Sequence, residues 1–143
     1  MTTLYLDSNA FVKLFTDENL AEAAQVEAAL EKSSDLASSA ITHAEVCGVF
    51  ARQLQQGRIS EETYWETRQA FEDNWEQVNI VEVSAAVSKI AADVLKAQRG
   101  LRAMDALHLA SALALRQATP IQFLTFDTRL QTAAQGLMPE ALA

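Results

Sequence analysis

"LYLDSNAFVK", residues 4–13, sets an apolar triplet, Leu4, Tyr5 and Leu6, directly before a carboxylate, Asp7. The triplet predicts a short buried strand, and Ser8 or Asn9 then introduces a helix. A strand that gives way at once to a helix is the first half of a βα unit. The rest of the chain repeats the alternation. Residues 19–32 carry Leu20, Ala23, Ala24, Ala28 and Leu30 among Glu22, Glu27 and Glu31, the pattern of an amphipathic helix. A second strand fits 36–40, a helix follows over 42–56, and Gly57 supplies a stop. Ser60 caps a third helix to about residue 77, with Trp65, Phe71 and Trp75 among its large apolar residues.

"VNIVEV", 78–83, is the third predicted strand, then come helices over 84–98 and 103–118. Pro120 ends the second of these, and "IQFLTF", 121–126, is the fourth strand. A last helix over 128–135 precedes a tail with room for one more edge strand. Strands alternating with helices imply an α/β fold with a mainly parallel sheet of four or five strands, and such sheets bind ligands beyond the carboxyl ends of their strands.

Composition fits this reading. The chain has 143 residues, half of them apolar, with four Gly and two Pro, which predicts a single domain over 1–143 with a proper core. The lone Cys47 makes no internal disulfide, no secretory leader is visible, and the expected location is the cytoplasm. The longest apolar run, near 106–115, is interrupted by His108 and Ser111, so no membrane span is expected. A net charge of −8 argues against a general nucleic-acid coat protein.

Four acids stand at predicted helix starts, and each has a structural explanation. Asp7 and Asp127 suit N-caps, Asp105 suits a first turn, and Thr42 with Glu45 has the spacing of a capping box. His108 suits a hydrogen-bonded, partly buried histidine better than a metal ligand, since the only other histidine is His43. As a set the acids are harder to explain. Crossover helices run antiparallel to parallel strands, so Asp7, Glu45 and Asp127 fall on one edge by topology. The helix carrying Asp105 has no strand before it to fix its direction. Two carboxylates ~4 Å apart repel by about 4 kcal/mol at an effective dielectric of 20, so a converged set must take up protons or bind a cation. All-oxygen ligands point to Mg²⁺ or Mn²⁺ rather than zinc, and such sites serve phosphate chemistry.

The segments "LYLDSNAFVKLF", "SAITHAEV", "LRAMDALHLASAL" and "FLTFDTRL" resemble, in order, those of PIN-domain proteins, most closely the VapC-type toxins of bacterial toxin–antitoxin pairs. The resemblance implies a three-layer PIN-like fold and an RNA endonuclease using Mg²⁺ or Mn²⁺. It implies that Asp7, Glu45, Asp105 and Asp127 hold the metal and carry catalysis, with Asn9 and Thr125 as supporting polar residues. It also implies a homodimer and a cognate antitoxin that covers the site. Lys13, Arg99, Arg102 and Arg129 lie near these motifs and could steer RNA phosphates. Two other readings stay open. A phosphatase or phosphoacceptor using Asp7 as nucleophile would want a second acid where Asn9 stands, and a partner-binding module would have kept the fold without catalysis.

Overall fold

The computed structural model describes residues 2–143. Four parallel strands, β1 (Thr3–Leu6), β2 (Asp35–Ser39), β3 (Asn79–Val81) and β4 (Ile121–Leu124), form one sheet in the order β3-β2-β1-β4. The expected α/β architecture is present, with four strands rather than five. The tail adds a 3₁₀ turn (Pro139–Ala141) and one parallel bridge from Leu142 to Phe123, too short for a strand.

The helices fall into two sets. Helices α1 (Ser8–Val12), α2 (Leu20–Glu31), α3 (Ile41–Gln55) and α4 (Glu61–Trp75) connect β1 to β2 and β2 to β3. Helices α5 (Ala85–Ala97) and α6 (Ala103–Arg116) connect β3 to β4, and α7 (Thr128–Leu137) follows β4. Strand β1 shows why two layers of helix are needed. It is buried on both faces, with Leu4 and Leu6 turned to α1–α4 and Tyr5 turned to α5–α7. Phe11, Val46, Phe50 and Phe71 fill the first core, while Val94, Leu109, Phe123 and Leu130 help fill the second.

The aromatic residues of α4 divide, and one expectation from periodicity, the length of β3, is corrected. Trp65 is 60% exposed, whereas Phe71 on the same helix is fully buried, because α4 turns only one narrow stripe toward α1 and α3. "VNIVEV" yields only a three-residue edge strand, with Ile80 and Val83 left exposed. Gly57 stops α3 in the left-handed region, at φ 73°, which glycine adopts without a Cβ penalty.

The strand order places the site. From β1 the chain steps outward to β2 and β3, then returns across the sheet to β4 on the other side of β1. The adjacent connections leave β1 and β4 toward opposite faces, which opens a crevice beyond their carboxyl ends.

Candidate acidic site at the β1–β4 crevice

Asp7 ends β1, and Thr125 and Asp127 follow β4, so the two strands beside the crevice deliver them together. Asp7 caps α1 in the ordinary way, its Oδ1 accepting from the Ala10 N–H at 2.9 Å. Its second oxygen accepts from the Thr125 hydroxyl at 2.6 Å. Thr125 Oγ1 in turn accepts from the Asp127 N–H at 3.1 Å, and Asp127 Oδ1 caps α7 by accepting from the N–H groups of Arg129 and Leu130. One threonine thus ties the Asp7 carboxylate to the backbone N–H of Asp127.

Glu45 reaches the crevice from α3. The capping box expected from Thr42 and Glu45 does not form, because α3 begins earlier, with Ala40 at its N-cap. Thr42 therefore lies inside the helix and is fully buried, its hydroxyl 2.7 Å from Ser38 Oγ. Glu45 instead accepts hydrogen bonds from the Ser8 hydroxyl and from His108 Nε2, the latter at 3.0 Å. A carboxylate requires a donor, so His108 carries a proton on Nε2, while its Nδ1 lies 2.9 Å from the buried Tyr5 hydroxyl. Ser38 donates to the Leu6 carbonyl, so Thr42 donates to Ser38, while Ser8 donates to Glu45.

His108 also settles the direction of α6. It contacts Ser8 and Glu45 at the carboxyl edge of the sheet, and α6 ends near Pro120, whose carbonyl accepts from Thr3 at the opposite edge. The first turn of α6 therefore lies at the crevice. Asp105, three residues before His108, shares its helix face and is half-buried. Its Oδ2 accepts from the Arg102 N–H at 3.1 Å, as a first-turn acid does.

The electrostatics favour a cation. Asp7 is 4% exposed, and burial raises its carboxyl above the ordinary value, against the lowering hydrogen bonds from Thr125 and Ala10. Burial also pushes Glu45 up, but the hydrogen bonds from His108 and Ser8 outweigh it and hold that carboxyl below the ordinary range. Among the described residues, no Lys or Arg pairs with any of the four acids; the single partner is His108 on Glu45. No three of these acids and His108 bring ligand atoms within 4.8 Å of one another, a spread that limits mutual repulsion. The donor set, all carboxylate and hydroxyl oxygen around a buried uncompensated acid, fits a hard divalent ion.

The supporting residues sort unevenly. Thr125 is buried against Asp7, whereas Asn9 is exposed and its side chain makes no hydrogen bond among the described residues. Ser8, next to Asp7, bonds to Glu45 and lies 3.3 Å from Thr42; the "SSAIT" hydroxyls at 38–42 are the sequence signal for the polar lining behind it. Lys13 is bound to Glu22 at 3.2 Å. Arg99 and Arg129 line one hollow beside α7, Arg129 donates to the Gly100 carbonyl, and Arg102 is exposed one turn before Asp105.

Thr125→Val keeps the shape and removes the hydroxyl, leaving a buried carboxylate oxygen and the Asp127 N–H without their partner. The expected loss is about 2 kcal/mol at neutral pH, the range for a hydrogen bond to a charged group. Without the Thr125 bond Asp7 holds its proton to a still higher pH in the folded state. The deficit should therefore shrink as pH falls through the Asp7 titration, measured by urea unfolding at several pH values.

Comparison with known proteins gives the same assignment. The PIN domain family matches residues 4–136. Ribonuclease VapC45 of Mycobacterium tuberculosis is 33% identical over 137 residues, covering 95% of this chain and 92% of the relative. Among solved structures, a toxin–antitoxin complex from Klebsiella pneumoniae superposes with a TM-score of 0.65 at 21% identity over 87% of both chains. FitAcB from Neisseria gonorrhoeae superposes with a TM-score of 0.66 at 19% identity, over 92% of this chain and 93% of that one. With four acid-bearing segments in order on this sheet, the chain belongs to the PIN domain family.

Proposed function

We propose that this protein is a divalent-metal-dependent endoribonuclease, the toxin of a toxin–antitoxin pair. The observation that supports the reading is that Thr125 links the Asp7 carboxylate to the backbone at Asp127, and His108 links Glu45 to α6, beyond the carboxyl ends of β1 and β4. The relative named Ribonuclease VapC45 supports the activity, and the neighbour described as a toxin–antitoxin complex supports the partner.

Asp7, Glu45, Asp105 and Asp127 would hold Mg²⁺ or Mn²⁺. When bound, such an ion polarises a phosphoryl oxygen and lowers the pKa of an attacking water. The chain supplies the placement. Thr125 fixes the second Asp7 oxygen by a hydrogen bond, and Ser8 with His108 favours the ionised form of Glu45. Tyr5 holds the far side of the His108 ring, which orients Nε2 toward Glu45. Asp105 and Asp127 are both half-buried and would meet the phosphodiester as it enters. Arg99, Arg102 and Arg129 lie on the adjoining surface and would bind flanking phosphates, offsetting the repulsion of a chain with net charge −8.

The purified chain should cleave single-stranded RNA with Mg²⁺ or Mn²⁺, lose activity on chelation, and regain it when either ion is restored. Activity that survives chelation would refute the metal-dependent reading. The partner proposal includes a homodimer and an antitoxin covering the crevice; a monomeric mass in solution would remove the dimer.

A further inference from the structure

A second group of ligands lies on the other side of α3. His43 and Cys47 are one helical turn apart, so their side chains share a face. Glu72, on α4, meets them across the helix pair, its Oε1 2.6 Å from His43 Nε2, while Cys47 Sγ lies 3.9 Å from His43 Nδ1. One nitrogen, one sulfur and one carboxylate oxygen from the three residues lie within 4.8 Å of one another. Glu45 sits two residues from each of its neighbours in this group, a rotation of about 200° around the helix, and so faces the crevice instead.

The surroundings hold the three groups in place. The His43 ring packs at 5.3 Å from Phe71 and 5.7 Å from Trp75, measured between centroids. Arg68 donates from Nε to the other Glu72 oxygen at 3.1 Å and from Nη1 to the Tyr64 hydroxyl at 3.2 Å. That leaves one Glu72 oxygen for a ligand and orients the carboxylate through its outer partner. All three residues are half-buried, so the site is shielded but still open to a small ion and a water.

We infer that His43, Cys47 and Glu72 form a binding site for a soft or borderline divalent metal of the Zn²⁺ class, clamping α3 to α4. Three protein ligands of N, S and O type with one open position suit tetrahedral zinc, whereas the crevice offers only hard oxygen ligands. The two sites are therefore sorted by ligand chemistry. Ligation through Nε2 would move the imidazole proton of His43 to Nδ1 and release the proton of the Cys47 thiol, whose pKa burial pushes up.

The test is a Co²⁺ titration of the reduced, chelator-treated full chain, followed by absorption. A single equivalent should produce the near-ultraviolet thiolate-to-cobalt charge-transfer band, and Zn²⁺ should bleach it. Cys47→Ala should abolish the band. His43→Gln and Glu72→Gln should weaken Co²⁺ binding at least about tenfold, since even an outer partner costs that much. Asp7→Asn should leave the band unchanged, so the result does not depend on the nuclease reading. Circular dichroism verifies that each variant is folded. No band in the wild-type chain, or a band insensitive to both His43→Gln and Glu72→Gln, would overturn the site.

Discussion

Asp7→Asn should reduce RNA cleavage about 10²-fold or more while leaving the protein folded and more stable at neutral pH. The activity loss follows from weakening a metal contact worth several kcal/mol in the transition state, each 1.36 kcal/mol being tenfold in rate. The stability gain has a separate origin. Burial raises the Asp7 carboxyl above its unfolded value, so the folded chain keeps that proton to a higher pH than the unfolded one. Asp7 therefore favours folding below its unfolded pKa, and that contribution is lost as pH rises through the folded value. An amide in its place has no charge to desolvate. It can still accept from Ala10 and can donate to Thr125 Oγ1, so the local hydrogen bonds survive. Urea unfolding at neutral and acidic pH should show the variant's advantage at the former and its disappearance at the latter. Such opposition between stability and activity is expected of a site built for a cation. A variant that cleaves normally would assign Asp7 to capping alone.

The largest expected loss of stability comes from Phe71→Ala. Phe71 is fully buried and packs against Phe11 at 5.6 Å, Phe15 at 5.5 Å, Phe50 at 6.1 Å and Trp75 at 5.6 Å, between centroids. It joins α4 to α1, which Asp7 caps and Ser8 begins, and to α3, which carries Glu45. Truncating such a side chain costs about 3–5 kcal/mol, a large part of the roughly 5–15 kcal/mol that stabilises a typical domain. The urea midpoint should fall at nearly constant slope. Trp65→Ala, on the same helix but at a 60% exposed position, should change stability by less than about 0.5 kcal/mol. Equal losses at the two positions would contradict this packing of α4.

That contrast between Phe71 and Trp65 also shows what the sequence conveys. Strand and helix order was legible because each short apolar run meets a polar helix start, and the parallel topology then places Asp7, Glu45 and Asp127 on one edge. Asp105 was not fixed by that logic, since α5 and α6 follow each other without a strand; the contact of His108 with Glu45, 63 residues away, supplies the direction. The capping box failed because local spacing cannot say where α3 begins, and Ala40 rather than Thr42 stands at its edge. Ser8 was overlooked in favour of Asn9 because rotation about a five-residue helix is set by packing of Phe11 and Val12, which periodicity over so short a stretch does not resolve. His108 was correctly expected to be hydrogen-bonded, but its role in holding Glu45 depends on a partner no local pattern reveals.

The claim on which the function rests is that acids distant in the chain hold one cation. Calorimetric titration with Mn²⁺ of the wild type, Asp7→Asn and Asp105→Asn tests it without a choice of RNA. Asp7 follows β1 and Asp105 lies in the first turn of α6, so only convergence at the crevice makes both necessary. The expected result is saturable binding in the wild type that is lost in both folded variants. Equal binding in all three would contradict a shared site and leave each acid as the start of its helix.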